Sequence, residues 1–367
     1  MKKHYFLGLA VGVKHPFKQL FLHGTAKDSE ELTKYLDKRY SGEVMLCKNG
    51  RSALTLALKA YFNQGDTIIV NGFTCYAVYE AVKAAGMKPV FADISRENLN
   101  FTTETLEKVV SDDAAGIIVQ NTLGNPVDMV AIERFAGKHG LVIIEDLAHS
   151  AGLEYPDGRE AGTVGAATIL SFGKEKSVDA ISGGAVIFRH PKRHEIKAPT
   201  KLPKISDYLR ERWYPVFGLW CRRLTRIGLG GVLMRVLLAV HFVERSADNR
   251  LDITRRPAHF EAKIALSELK NLRKSGSRRV REFYLVDDRR ATLDELQEAG
   301  YFFGGFWYER PVSPKRYYKK VHFDEAACPT AVKVSQQIIN LPTYYNESDL
   351  ALARIIIKKH LIEEEHD

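Results

Sequence analysis

Leu141-Val142-Ile143-Ile144-Glu145-Asp146 is a short apolar run that ends on two acids. It lacks the polar alternation of a half-exposed strand, so both of its faces are buried, as in the interior of a parallel sheet. Four similar runs lie upstream: Val44-Met45-Leu46-Cys47, Thr67-Ile68-Ile69-Val70, Pro89-Val90-Phe91-Ala92 and Gly116-Ile117-Ile118-Val119-Gln120. Between them apolar residues recur at helical spacing, as in Ala53, Leu54, Ala57, Leu58 and Tyr61, then Ala77, Ala81, Val82 and Ala85. Further helices are expected over Thr103 to Val110 and Asp128 to His139, and one from about Ser29 precedes the first strand. Strands alternating with helices predict an α/β fold with a mainly parallel sheet flanked by helices. Two later runs, Ala167-Thr168-Ile169-Leu170 and Gly184-Ala185-Val186-Ile187-Phe188, have no helix-length spacer and complete the sheet with mixed direction.

A chain of 367 residues accommodates one large and one small domain. The expected division is a large α/β domain over 1–190, with a helical region at 1–40, and a small C-terminal α+β domain over 251–367. The latter holds a long helix over about Ala258 to Leu272, a segment Gly304-Gly305-Phe306-Trp307-Tyr308, and a helix from about Ser348. Cys47, Cys75, Cys221 and Cys328 form no CxxC pair, which argues against a zinc site or a disulfide framework and fits a reducing, cytoplasmic setting with no metal. The first thirteen residues are basic and then apolar, but Lys14 follows at once and no cleavage site appears. They read as mature sequence rather than a targeting segment.

Between these domains, 191–250 reads as a basic and amphipathic insert. From Arg189 to Arg226 there are eleven Lys and Arg against three acids, nearly all of the net charge of +9. Residues 227–243 are apolar at helical spacing but too short to span a bilayer, and they contain Arg235 and His241. The first expectation is a helix packed against its own domain or a second subunit. The second is peripheral contact with an anionic membrane face through 205–245. No nucleic-acid partner is expected.

In an open α/β sheet, ligands bind beyond the carboxyl ends of the strands. There stand Gly50-Arg51-Ser52, Asn71-Gly72-Phe73-Thr74, Asn121 to Asn125, Asp146 to His149, and Ser171-Phe172-Gly173-Lys174-Glu175-Lys176. Taken singly, Asp146 is an N-cap, His149 a hydrogen-bonded histidine and Lys176 a solvated lysine. Taken together they are the parts a pyridoxal 5'-phosphate enzyme needs. A Gly/Ser turn at a helix N-terminus holds a phosphate. An acid after a buried strand keeps a pyridine nitrogen protonated. A lysine carries the aldehyde as a Schiff base, the internal aldimine, and Lys176 is favoured over Lys174 by its spacing from Ser171-Phe172 and to Gly183-Gly184.

At these residues the chain resembles the DegT/StrS-type sugar aminotransferases of the aspartate-aminotransferase fold. The resemblance runs from about Lys48 to Phe188 and returns faintly at Phe260 to Leu272 and near Leu341-Pro342. It implies Gly50, Arg51 and Ser52 at the phosphate turn, Asp146 on the pyridine nitrogen, His149 near the phenolic oxygen, Ser171 on the phosphate and Lys176 as the catalytic lysine. It implies a homodimer that moves an amino group, from glutamate, to a keto sugar carried on a nucleotide. Three positions depart from the family pattern. Cys75, with Tyr76 beside it, stands where many members stack an aromatic ring on the cofactor. Arg51 replaces a small hydroxyl residue, and Thr254 falls near an Asn that reaches the other subunit's phosphate. The alternatives are a non-catalytic member that senses or docks through the insert, and a pyridoxal phosphate enzyme with a non-sugar substrate.

Overall fold

The computed structural model describes residues 4–6, 16–225, 227–245, 248–275, 280–303, 306–343 and 347–362. Most of the N-terminal stretch weighed as a targeting segment, together with Arg226, Gly304 and Gly305, lies outside the described residues.

The described chain opens with β1 (His4–Phe6), α1 (Pro16–Leu20) and α2 (Ala26–Tyr40). The large domain follows as β2 (Glu43–Cys47), α3 (Gly50–Tyr61), β3 (Thr67–Asn71), β4 (Thr74–Cys75), α4 (Tyr76–Ala85), β5 (Lys88–Ala92), α5 (Thr103–Glu107), β6 (Ala114–Gln120), α6 (Met129–His139), β7 (Val142–Asp146), β8 (Ala167–Ser171) and β9 (Gly184–Phe188). The insert contributes α7 (Ile205–Thr225) and α8 (Gly230–Ala239). The remainder is α9 (His259–Ser275), β10 (Arg281–Leu285), α10 (Arg289–Glu298), β11 (Tyr301–Phe303), β12 (Val312–Ser313), α11 (Lys315–Tyr318), α12 (Pro329–Gln337), β13 (Ile338–Pro342) and α13 (Glu347–Lys358).

Seven strands form one sheet in the order β2-β9-β8-β7-β6-β3-β5. β8, β7, β6, β3 and β5 run parallel, and β9 is antiparallel to both of its neighbours. Side chains alternate between the faces. Ile68, Val70, Ile118, Ile144, Ile169 and Val186 join the core under α3 and α4, whereas Ile69, Ile117, Val119, Leu170 and Ile187 join the core under α2, α6 and α9. This two-sided burial is why the strands read as unbroken apolar runs. α9, counted by sequence with the C-terminal part, buries Ala262, Ala265, Leu266 and Leu269 in the large domain's core. β1 pairs with β11, so the first described residues join the C-terminal layer.

Several elements differ from the sequence expectations, among them the helix from Thr103, which ends at Glu107 rather than Val110. α2 begins at Ala26 rather than near Ser29, because Asp28 accepts a 2.7 Å hydrogen bond from the Thr25 N–H and closes the first turn. α7 has no counterpart among those expectations: Pro215 lies inside it, and a proline normally marks a helix boundary. None of the described helices is long and apolar enough to cross a bilayer.

Candidate active site

The alternation of β7 sorts its two acids. Glu145 turns to the α2 side, where it is fully buried and accepts from the N–H groups of Gly162, Val164 and Gly165 and from the Tyr155 hydroxyl. Asp146 turns to the α3 side, into a cavity also lined by Gln120, His149, Ser171 and Lys176. Its carboxylate accepts from Gln120 Nε2 at 3.1 Å and from the Ala148 N–H at 3.0 Å. Burial nevertheless raises its pKa above the usual carboxylate range, against the opposing pull of the Ala148 N–H and Lys176.

Lys176 Nζ lies 2.9 Å from His149 Nε2. His149 Nδ1 accepts the backbone N–H of Leu123 at 3.2 Å, so the ring proton sits on Nε2. A protonated Nε2 can only donate, and an amine accepts only as neutral –NH2. The geometry therefore assigns Lys176 as an uncharged amine. Burial, the largest cause, lowers its pKa in the same direction, and burial with Lys176 and Arg281 nearby pushes His149 well below the ordinary histidine value. Lys174 also borders this cavity but is engaged by other partners. Its ammonium lies over the Tyr214 ring at 3.8 Å and donates to the Glu244 carbonyl at 3.0 Å.

The N-terminus of α3 opens on the same cavity through Asn49, Gly50 and Arg51. Asn49 caps the helix by accepting the Ser52 N–H at 2.8 Å. Gly50 passes so close to β8 that a Cβ there would stand 2.7 Å from Ser171 Cβ. Gly184 lies beneath the turn, where a Cβ would meet the Asn49 carbonyl carbon and the Leu170 oxygen at 2.7 Å. These close approaches bring helix N-terminus and Ser171 to one end of the cavity, the partial positive end of the α3 dipole. Ser52 is absent from the lining, and its hydroxyl accepts the Asp252 N–H at 3.1 Å. Arg51 pairs with Glu80 and donates to the Asn249 carbonyl at 2.7 Å.

Cys75 lines the cavity; Tyr76 does not, and stacks on Tyr317 at 4.4 Å between ring centroids. Thr254 is exposed and bonds Asp252 rather than the cavity. Sequence reasoning missed two groups of residues. Trp307 stacks on His149 at 5.1 Å and lies under Lys176 Nζ at 4.8 Å, with Tyr308 lining the cavity beside it. Asp207, Arg210, Glu211, Glu244 and Arg245 bring the insert's polar side into the cavity wall.

The fold is that of an aminotransferase: a solved DegT DnrJ EryC1 StrS aminotransferase from Brucella abortus superposes with a TM-score of 0.65 over 96% of this chain and 95% of that one, at 20% identity. Residues 24–227 match the DegT/DnrJ/EryC1/StrS aminotransferase family, and the chain belongs to it. The family works with pyridoxal phosphate. Among curated relatives, a pleiotropic regulatory protein of Geobacillus stearothermophilus is 27% identical over 308 residues, 81% of this chain and 79% of its own. A UDP-N-acetyl-3-dehydro-alpha-D-glucosamine 3-aminotransferase of Acidithiobacillus ferrooxidans is 27% identical over 319 residues, 84% of this chain and 81% of its own.

Proposed function

We propose that this chain is a pyridoxal phosphate-dependent aminotransferase that moves an amino group from glutamate to a nucleotide-linked keto sugar, working as a homodimer. The observation that carries the reading is the meeting of an uncharged Lys176 amine, the buried Asp146 and the α3 N-terminus in one cavity. The relatives named for sugar aminotransfer support the acceptor class.

The residues fit the cofactor's three reactive ends. Asp146 is a buried carboxylate short of donors, and a protonated ring nitrogen supplies one. The α3 N-terminus with Ser171 suits a phosphate dianion, and Lys176 suits an aldehyde carbon. Bound there, the cofactor supplies an electron sink for the carbon that carries the amine. Asp146 holds the proton on the ring nitrogen. His149 fixes the position of Lys176 Nζ through its Nε2–H, and the amine lone pair must leave that hydrogen bond to act as a nucleophile. With the cofactor bound, Lys176 Nζ would be the base that takes and returns the proton at the substrate carbon. Trp307 holds the His149 ring by stacking on it, and Tyr308 forms part of the cavity wall.

Purified protein should show the visible absorbance of a lysine-bound cofactor, and borohydride should fix that cofactor to a peptide holding Lys176. A fixed adduct that survives in Lys176→Ala refutes the lysine assignment. Transamination of a panel of nucleotide-linked keto sugars with glutamate tests the substrate class. Turnover of none of them by cofactor-loaded protein would favour a regulatory role, for which the Geobacillus relative's name is the support. Light scattering at the working concentration tests the dimer.

A further inference from the structure

The insert carries two unlike surfaces on one helical hairpin. The acids between residues 205 and 245 are Asp207, Glu211 and Glu244. All three turn inward. Asp207 pairs with Lys48 at 2.7 Å, Glu244 pairs with Arg210, and Glu211 lies against Glu261 and Ser182. On α7 these inward positions leave the opposite side to Ile205, Leu209, Trp213 and Trp220, between 43% and 73% exposed. The first three are spaced four residues apart, so they form one stripe. α8 packs on α7 and adds Val232 and Val236, with Leu229 before it and Val240 and Phe242 after it. α1 also packs on α7 and brings exposed Phe17, with Phe21 just beyond its end. The charges accompanying this face are basic: Lys204, Arg223 and Arg235 are exposed and Arg222 is half-buried.

An apolar face with tryptophans, a rim of cations and every acid withdrawn has the chemistry of a helix lying in the headgroup region of an anionic bilayer. Burial of the apolar stripe alone would suit any apolar partner. The removal of all three acids to the far side is what selects an anionic one. A second copy of the chain is disfavoured by the same charges, because a two-fold contact sets one basic rim against the other.

We propose that the outward face of α1, α7 and α8 docks this protein on an anionic lipid surface. α7 is also a wall of the cavity that holds Lys176 and Asp146. Docking would therefore bring that cavity within about one helix diameter, roughly 10 Å, of the lipid headgroups.

The test is cosedimentation of the full, cofactor-loaded chain with vesicles of phosphatidylglycerol and phosphatidylethanolamine, and with vesicles of phosphatidylcholine alone. Binding is expected to the first and not the second, and to fade as salt is raised. Changing Arg222→Gln, Arg223→Gln and Arg235→Gln should each weaken partitioning about fivefold. Trp220→Ser with Val236→Ser should weaken it further, and retention of the visible cofactor band in every variant shows that the fold is kept. Absence of binding, equal binding to both vesicle types, or arginine variants that bind like the unaltered protein would each overturn the proposal. So would unaltered protein that binds neither vesicle type while its Trp220→Ser/Val236→Ser variant drops in particle mass in light scattering, since the face would then be a contact between copies.

Discussion

Replacing His149 by Phe tests the protonation state of the site directly. The ring remains to stack on Trp307, but both nitrogens are gone. One lost interaction is the Nε2–H donated to Lys176 Nζ at 2.9 Å. A neutral hydrogen bond contributes about 0.5–1.5 kcal/mol net. This one forms only with the uncharged amine, so it lowers the lysine pKa, and its loss raises that pKa by roughly 0.5–1 unit. Burial persists as the larger cause, so Lys176 stays below the ordinary lysine value. The assay is the initial rate at which cofactor-free protein captures pyridoxal phosphate, followed by visible absorbance as a function of pH. The midpoint of that profile should move up by roughly 0.5–1 unit in His149→Phe. The second lost interaction strands the buried Leu123 N–H, which costs about 1–3 kcal/mol and lowers the unfolding temperature. If the midpoint stays put or falls while stability drops, the hydrogen bond has the opposite polarity, and the neutral-amine assignment fails.

Asp146→Ala removes the proton holder on the ring nitrogen, so turnover should fall by about 10²-fold or more while the visible cofactor band persists; unchanged turnover would show that another group holds that proton. Gly50→Ala should drive α3 away from Ser171 at a cost of about 1–3 kcal/mol, read as weaker cofactor retention on dialysis, since the added Cβ would sit 2.7 Å from Ser171 Cβ. Asp179 fastens the loop that carries Lys176 by accepting the N–H groups of Glu175 and Ile181, and burial raises its pKa from 3.8 to about 7. A raised folded pKa contributes stability that is present below pH 3.8 and lost as pH rises through about 7. Denaturant titration should therefore show the unaltered protein losing up to about 4 kcal/mol relative to Asp179→Asn across that window; parallel pH profiles would contradict it.

The sheet was legible because burial on both faces leaves a mark within five residues: an apolar run, a helix, and another run. The strand-end chemistry was legible for a related reason. Asp146, Ser171 and the Gly50 turn each follow such a run directly, so finding the strands located the site. Trp307 carried no such mark. It lies 131 positions beyond Lys176 in an irregular segment, and Asn340 helps hold it by donating to its carbonyl at 2.7 Å. The insert's part in the cavity was hidden differently. Along α7 the cavity-facing Asp207, Arg210 and Glu211 alternate with outward Leu209 and Trp213. That pattern alone cannot say which side meets the body, and Pro215 masks the helix itself. The two candidates for ring stacking, Cys75 and Tyr76, are separated only by the start of α4, which turns Tyr76 toward Tyr317.

Glu145 and Asp146 show how one strand end yields both a structural and a chemical acid. They are adjacent, and each is at most 5% exposed. Glu145 faces a shell that was completed locally: three backbone N–H groups from 162–165, the Tyr155 hydroxyl and Arg189 at 3.2 Å all reach its carboxylate. A buried carboxylate so surrounded holds the loop after β7 to the sheet, and removing it would strand every one of those donors. Asp146 receives two donors, and burial drives it toward its neutral form. The same burial drives Lys176 toward neutrality from the other direction. Two oppositely charged residue types in one cavity therefore do not neutralise each other by an ion pair. Burial works against the charge of each, which favours the amine as a nucleophile and leaves the acid in need of a cation. A ligand bringing a protonated nitrogen to Asp146 and an electrophilic carbon to Lys176 would relieve both, so its binding should raise the unfolding temperature by more than its phosphate contacts alone provide.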